Sequence, residues 1–283
     1  PIDSVNIQIE CERDTARELN EFFTFNVPGA EYTPAFKYRK WDGKIRLFNM
    51  FKRHLYVGLV PYLIKFCEDR GYELSEDQGT SLLKKTVDLN LKAIENFMDG
   101  YIKPCSGGAR IIPHNHQLTA IQHCLNNDRA LLLSPTGSGK SLIIYSLMRH
   151  YQNTTDKKIL ILVPTTSLVE QMHTDFEDYS SESGWSTEEN CHRIYSGKEK
   201  ETDLQVTIST WQSLYKMPQE FFDQYGVVFG DECHLYKAKS LTAIMEKLVD
   251  CPIRIGTTGT LDGIKAHKLM IEGLFGTVFK AAS

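Results

Sequence analysis

Short apolar runs alternate with longer amphipathic stretches through residues 110–283. Ala130–Leu133, Ile159–Val163, Arg193–Tyr195, Val206–Ser209, Val227–Phe229 and Ile253–Gly256 are strand candidates. Leu142–His150, Ser167–Tyr179 and Ser240–Val249 carry apolar residues at helical spacing between them. Strands that are apolar throughout are buried on both faces. The pattern therefore predicts an α/β fold, a parallel sheet with helices on both sides. Such sheets bind ligands at the carboxyl ends of their strands.

The first hundred residues read differently. Val5–Cys11 alternates like a strand, and Thr15–Phe23 has helical spacing with Leu19, Phe22 and Phe23 on one side. Tyr38–Trp41, Asp42-Gly43 and Lys44–Phe48 predict a hairpin, because Asp-Gly suits a tight turn. His54–Val57 predicts a further strand, and Val60–Arg70 and Val87–Asp99 predict helices. Residues 1–100 are thus expected to form a small α+β accessory domain with a linking helix. Gly100–Ala109, with three glycines and a proline, suits a connector over 101–110. Residues 111–283 form the larger domain. Ser180–Asn190, which contains Trp185, reads as a polar loop.

Composition narrows the classes. Of 283 residues 41% are hydrophobic and 24% charged, which fits a packed protein rather than a disordered one. A net charge of −4 means that any nucleic-acid surface must be local. Residues 37–53 supply one: Lys37, Arg39, Lys40, Lys44, Arg46, Lys52 and Arg53 against Asp42, interleaved with Tyr38, Trp41, Phe48 and Phe51. Phosphate contacts and base stacking suit that mixture, with Arg39, Lys40, Lys44 and Arg46 as candidates. The competing reading is a solvated hairpin face over core aromatics. On a hairpin Arg39 and Trp41 would face one side and Tyr38 and Lys40 the other. No apolar run approaches the roughly 20 residues that span a bilayer. The start, PIDSVNIQIE, lacks a signal-peptide pattern. Seven scattered cysteines with no C-x-x-C fit reduced thiols in a cytoplasm. His114, His116 and His123 lack a fourth ligand and read as ordinary surface or core histidines.

Two motifs carry chemistry. Ser134-Pro135-Thr136-Gly137-Ser138-Gly139-Lys140-Ser141 lies between a strand and a helix. Its glycines let backbone N–H groups curl round phosphates, Lys140 reaches the β- and γ-phosphates, and the Ser141 hydroxyl can ligate Mg²⁺. A chance Gly/Ser turn is the alternative. Asp231-Glu232 follows strand Val227–Phe229. Asp231 would hold Mg²⁺ through its water shell and Glu232 would polarise the attacking water. An isolated Asp-Glu is more often a solvated loop pair.

Asp231-Glu232-Cys233-His234 resembles the DExH box of superfamily 2 helicases, with Cys233 read as a small buried residue. Pro164-Thr165-Thr166-Ser167-Leu168-Val169-Glu170-Gln171 is similar to their motif Ia. Ser209-Thr210-Trp211-Gln212-Ser213-Leu214 resembles a strand-end motif that touches the nucleic-acid backbone. Thr258-Gly259-Thr260 resembles motif III. His116-Gln117, followed by Ala120-Ile121, matches the position of the adenine-reading Q-motif glutamine. The departures are Ser134, Gly230, Gly259, His116 in place of a tyrosine, and a missing nearby arginine. The resemblance implies a RecA-like P-loop NTPase that uses ATP and Mg²⁺. Lys140, Asp231, Glu232 and His234 would be catalytic, and Gln117 with 135–141 would bind the nucleotide. Pro164, Thr165 and Thr210 would touch nucleic acid, and Thr258, Gly259 and Thr260 would couple the two sites.

Tyr38-Arg39-Lys40-Trp41-Asp42-Gly43-Lys44-Ile45-Arg46-Leu47-Phe48, followed by Tyr56-Val57-Gly58, resembles the accessory domain of UvsW-type phage recombination helicases. That implies an ATP-driven helicase on branched DNA in recombination, replication or repair, in the host-cell cytoplasm. An RNA helicase, a role on RNA–DNA hybrids, or an ATP-regulated clamp or annealing module are the alternatives. Relatives carry two RecA-like domains. The chain ends soon after Thr260, so only the first is expected here, with little ATPase or unwinding activity by itself.

Overall fold

The structure, a computed structural model, describes residues 1–75, 87–236, 238–261 and 263–281. Its N-terminal module contains strand β1 (Asn6–Gln8), helix α1 (Arg13–Phe22), strand β2 (Thr24–Asn26), helical turn α2 (Pro34–Lys37), strands β3 (Lys44–Arg46), β4 (Phe48–Asn49) and β5 (His54–Tyr56), and helix α3 (Val60–Arg70). β5 is paired antiparallel between β1 and β4, with Ile7 and Phe48 both opposite Leu55. Phe23, Phe48, Leu55, Leu63 and Phe66 are buried between the strands and α1 and α3.

The hairpin expected over 38–48 does not form. Thr33 caps α2 by accepting from Phe36 N (3.3 Å), Pro34 opens it, and the chain then turns at Arg39 with φ +54°. Asp42 accepts from Lys44 N (3.2 Å), and Gly43 at φ +75° directs the chain toward β2. β3 therefore pairs with β2, Phe25 opposite Ile45. Asp-Gly did mark a turn, but the strand expected at 38–41 is a turn that follows α2. The face alternation expected for residues 38–41 lapses with the hairpin.

Helix α4 (Leu91–Phe97) starts later than the expected Val87 because the Asn90 side chain caps it at Ala93 N (2.9 Å). A π-helical turn (Met98–Ile102) and the short ribbon β6 (Cys105–Ser106) and β7 (Ala109–Arg110) follow. Ile94, Met98 and Ile102 are buried against α5 (Asn115–Asn127) and α6 (Lys140–Thr154).

The main sheet comprises β8 (Arg129–Leu133), β9 (Lys158–Val163), β10 (Cys191–Ile194), β11 (Val206–Thr210), β12 (Tyr225–Gly230), β13 (Ile253–Thr258) and β14 (Val278–Lys280). It is parallel throughout, in the order β10-β11-β9-β12-β13-β8-β14. β14 was not anticipated, since three residues of moderate hydrophobicity carry little pattern. Alternate residues of β9 feed opposite faces. Ile159, Ile161 and Val163 join α5, α6 and α7 (Thr166–Ser180). Leu160 and Leu162 join α11 (Ala238–Met245) and α12 (Lys265–Leu274). Short helices α8 (Thr187–Asn190), α9 (Trp211–Leu214) and α10 (Gln219–Asp223) fill the remaining connections. The expected loop 180–190 thus contains a helix. Trp185 anchors it against Tyr145 (5.7 Å between rings) and donates to Gln152 Oε1 (2.9 Å).

The N-terminal module shares the hydrophobic cluster on the α11/α12 face. The turn Val57–Leu59 meets α12 so closely that a Cβ on Gly58 would lie 2.0 Å from Glu272 O. Tyr62 donates to the buried Glu272 carboxylate (2.5 Å), and Tyr56 donates to Glu246 (2.6 Å). Arg254, inside an otherwise apolar strand, is fully buried. Its guanidinium donates to Cys251 O (3.0 Å), Met245 O and Leu274 O (3.1 Å each) and Leu248 O, and so caps the carboxyl ends of α11 and α12.

Candidate nucleotide site and nucleic-acid surface

β8 delivers the chain into the loop 134–141, and Ser134 N donates to Thr258 O (2.9 Å) on the neighbouring strand. Gly137 (φ +80°) and Gly139 (φ +79°) are left-handed. The left-handed backbone favours glycine at 139, and a Cβ there would also push aside the end of the Gln117 side chain, whose Nε2 would lie 2.1 Å away. α6 begins at Lys140 and aims its free N–H groups and positive dipole end into the loop.

β12 ends at the two carboxylates. Lys140 Nζ donates to Glu232 Oε1. Glu232 itself is left-handed (φ +49°), and its Oε2 accepts from Gly259 N (3.3 Å). His234 Nδ1 lies 3.4 Å from the same oxygen and 2.6 Å from Thr258 Oγ1. The Thr258 hydroxyl donates to Thr260 O (2.6 Å), so Nδ1 carries the proton in its contact with Thr258. Asp231 is buried and accepts from Thr257 Oγ1 (2.5 Å) and Glu232 N (3.0 Å). Burial raises its pKa above the ordinary carboxylate value, while the Thr257 hydroxyl and Lys140 oppose the shift. Ser141 Oγ lies 2.7 Å from Tyr179 Oη.

Gln117 starts α5. Its Oε1 accepts from His114 N (2.9 Å), and its Nε2 donates to Ser138 O (3.1 Å). His116 Nε2 is 3.1 Å from the same carbonyl oxygen. Gln117 is therefore both a helix-capping residue and a clasp on the phosphate loop. Beside it an apolar cavity opens between His116 and Phe279.

Gly230, which had no explanation in the sequence, has one in the packing. It lies opposite Gly256, and a Cβ there would meet Phe275 Cζ at 2.8 Å and Cys233 Sγ at 3.1 Å. Cys233 is fully buried, and burial pushes its thiol pKa up. Thr257, Tyr179 and Phe275 are site-supporting residues that the sequence reading passed over. Only Thr257 left a trace, as the neighbour of Thr258 on a strand.

The nucleic-acid candidates lie elsewhere on the same sheet edge. Pro164 and Thr165 follow β9, and the exposed Thr165 caps α7 at Leu168 N (3.3 Å). Thr210 ends β11. It is buried and lies 2.7 Å from Ser213 Oγ, while Gln212 Nε2 donates to Pro164 O (3.1 Å). Sheet order thus gathers the nucleotide candidates on β12, β13 and β8 and the strand-contact candidates on β9 and β11. In the N-terminal module Arg39, Lys40, Lys44 and Arg46 are exposed. Arg46 is paired with Asp42 (2.5 Å) and holds that carboxyl down at about 2. Among the described residues no ion pair engages Arg39, Lys40 or Lys44, and no helix is long and apolar enough to cross a membrane.

Residues 110–263 match the family described as type III restriction enzyme, res subunit, and residues 2–77 match the N-terminal family of the DNA helicase UvsW. The chain is 38% identical to the ATP-dependent DNA helicase uvsW of Enterobacteria phage T4 over 98% of its own length and 54% of that protein. A crystal structure of the UvsW helicase from bacteriophage T4 superposes with a TM-score of 0.87 at 37% identity, covering 98% of this chain and 97% of that one. The DNA 3'-5' translocase XPB2 of Sulfurisphaera tokodaii is 25% identical over 63% of this chain and 36% of that protein. The chain thus spans about half the length, or less, of the curated relatives it matches.

Proposed function

Because this chain belongs to the UvsW helicase family, within the superfamily 2 helicases, we propose that it forms the ATP-binding part of a DNA helicase acting on branched DNA in recombination, replication or repair. One observation carries this reading. Lys140, Asp231, Glu232 and Gly259 converge at the carboxyl ends of three adjacent strands, β8, β12 and β13. The reaction is attack of water on the γ-phosphorus of ATP, with cleavage of its bond to the β–γ bridging oxygen.

Lys140 exchanges its Glu232 partner for the β- and γ-phosphates, which frees that carboxylate to orient the water and draw off its proton. Backbone N–H groups of 135–141 hold the phosphate oxygens, and Gln117 faces the base. Asp231 and Ser141 are the residues that would hold Mg²⁺, which neutralises phosphate charge when bound. A carboxylate and a hydroxyl are oxygen donors of the kind a hard cation takes. His234 bridges Glu232 to Thr258, so the state of the nucleotide reaches Thr258, Gly259 and Thr260 through side chains already in contact. Pro164, Thr165 and Thr210 meet the strand, and Arg39, Lys40, Lys44 and Arg46 add phosphate contacts.

DNA is preferred to RNA because both curated relatives are named for DNA. The test measures, on the complete protein, ATPase stimulation by branched DNA, by single-stranded DNA and by RNA of matched length. Stimulation by branched DNA above the other two is expected. Preferential stimulation by RNA would refute the DNA assignment. ATP binding without turnover under any nucleic acid would point to a clamp.

A further inference from the structure

β4 and β5 are joined by the four-residue turn 50–53, and Asn49 lies opposite His54. This turn is braced from several directions. The Asn49 side chain accepts from Phe51 N (3.1 Å) and Lys52 N (2.9 Å). Arg53 is left-handed (φ +58°), its carbonyl accepts from Ile9 N (2.9 Å), and its guanidinium lies 3.4 Å from Cys11 Sγ. Beneath the turn Phe48 and Leu55 are buried, and Met50 packs on the same core. A turn so held presents the next side chain in one direction. That side chain is Phe51, 98% exposed, the most exposed of the large apolar residues described. Lys52, beside it, is also exposed.

Met50 tucks inward and Phe51 does not, so the sequence places one apolar residue in the core and its neighbour in water. Packing gives no reason for the second. A rigid, cation-flanked aromatic tip matches the chemistry of stacking on a nucleic-acid base, which every base offers through its π-face. Apolar side chains inserted at a base step also unstack it. We propose that Phe51 is a wedge that stacks on the unpaired base at the branch point of a DNA fork, with Lys52 on the adjoining phosphate. The proposal rests on the DNA-helicase reading above and adds to it the residue that meets the branch.

The experiment uses this chain without ATP and a synthetic DNA fork carrying 2-aminopurine in the last base pair before the branch. Stacking within the duplex keeps that base dark. Binding by the unaltered chain is expected to brighten it. Phe51→Ala is expected to leave it dark and to weaken fork binding about 5- to 140-fold, the range for losing one stacked base. Phe51→Tyr is expected to restore both. Removing an uncharged ring leaves the salt dependence unchanged, whereas Lys52→Ala lowers the slope of log affinity against log salt by about 0.7–0.9. Because Phe51 is solvated, thermal unfolding of both variants should match the parent, which excludes misfolding as the cause. Unaltered brightening and affinity in Phe51→Ala overturn the wedge while leaving the helicase reading intact. Failure of the unaltered chain to bind any fork counts against that reading itself. A Phe51→Ala variant with normal fork response but lost self-association in sedimentation overturns the wedge in favour of a protein contact.

Discussion

A close backbone approach between the N-terminal module and helix α12 predicts a large effect from one methyl group. In Gly58→Ala the new Cβ would lie 2.0 Å from Glu272 O, 2.7 Å from Gly273 O and 2.9 Å from Gly273 C. All three are backbone atoms and cannot rotate aside. An ordinary contact of 3.4 Å therefore requires the turn and α12 to part by about 1.4 Å. Gly273 presses back on Tyr56 and Leu59 in the same seam, so the separation opens packed surface. A gap of even 0.5–1 Å forfeits roughly a quarter to a half of each dispersion contact. The Tyr62–Glu272 bond, at 2.5 Å, would stretch beyond hydrogen-bond range and leave a buried carboxylate with Val278 N at 3.3 Å and Lys268 at 3.7 Å. Overpacking usually costs about 1–3 kcal/mol, and immovable neighbours place this site at about 3 kcal/mol. That corresponds to a fall in Tm of roughly 6–12 °C. Calorimetry gives the value, and hydrogen exchange should show Val60–Arg70 and Lys265–Leu274 losing protection together. Gly100→Ala, with nothing within 4 Å of the added methyl, is the control. Unfolding of Gly58→Ala within about 2 °C of that control would show that the seam yields freely and that the reasoning fails.

Other expectations concern the site. In the complete protein Glu232→Gln should bind ATP yet turn it over at least about 10²-fold more slowly, while Lys140→Ala should lose binding as well; nucleotide binding and single-turnover hydrolysis measured together check this, and parental turnover by Glu232→Gln would remove Glu232 from the reaction. Burial raises the folded-state pKa of Asp231, so the stability this residue contributes is fully present below the ordinary carboxylate pKa and is lost as pH rises through the folded value. Asp231→Asn should therefore raise Tm at pH 7 without nucleotide, and the gain should vanish near pH 3.5–4, as a pH series of melts will show (about the ordinary Asp pKa). Replacing Arg39, Lys40 and Lys44 together should reduce the salt slope of DNA binding by about 2–3, and Arg46→Ala should change it less because Asp42 already neutralises that charge.

Much of this protein was legible along the chain because the signals are local. A strand buried on both faces must be apolar, so β8, β9, β11, β12 and β13 announced themselves. A phosphate loop needs glycines at fixed offsets before a helix, and Val60–Arg70 ran to its observed ends, with Pro61 in its first turn and Gly71 just after it. What the sequence left open depends on partners distant in sequence. Lys44–Arg46 was read as half of a local hairpin, but it pairs with residues twenty positions earlier, because the intervening segment takes up a capped helical turn instead.

Gly230 and Gly58 look like weak points in a strand and a turn. Only the ring of Phe275 and the backbone of α12 reveal them as close approaches. Arg254 looks misplaced in an apolar strand until two helix ends supply carbonyls for its guanidinium. The sequence by itself determined which residues could handle phosphate and where the sheet would run, since backbone propensity and motif spacing act over a few residues. The tertiary structure alone decided that Lys140 meets Glu232 across 92 positions and that the accessory module is seated on α12. Strand order and packing at long range bring those groups together, and neither is written in any local pattern.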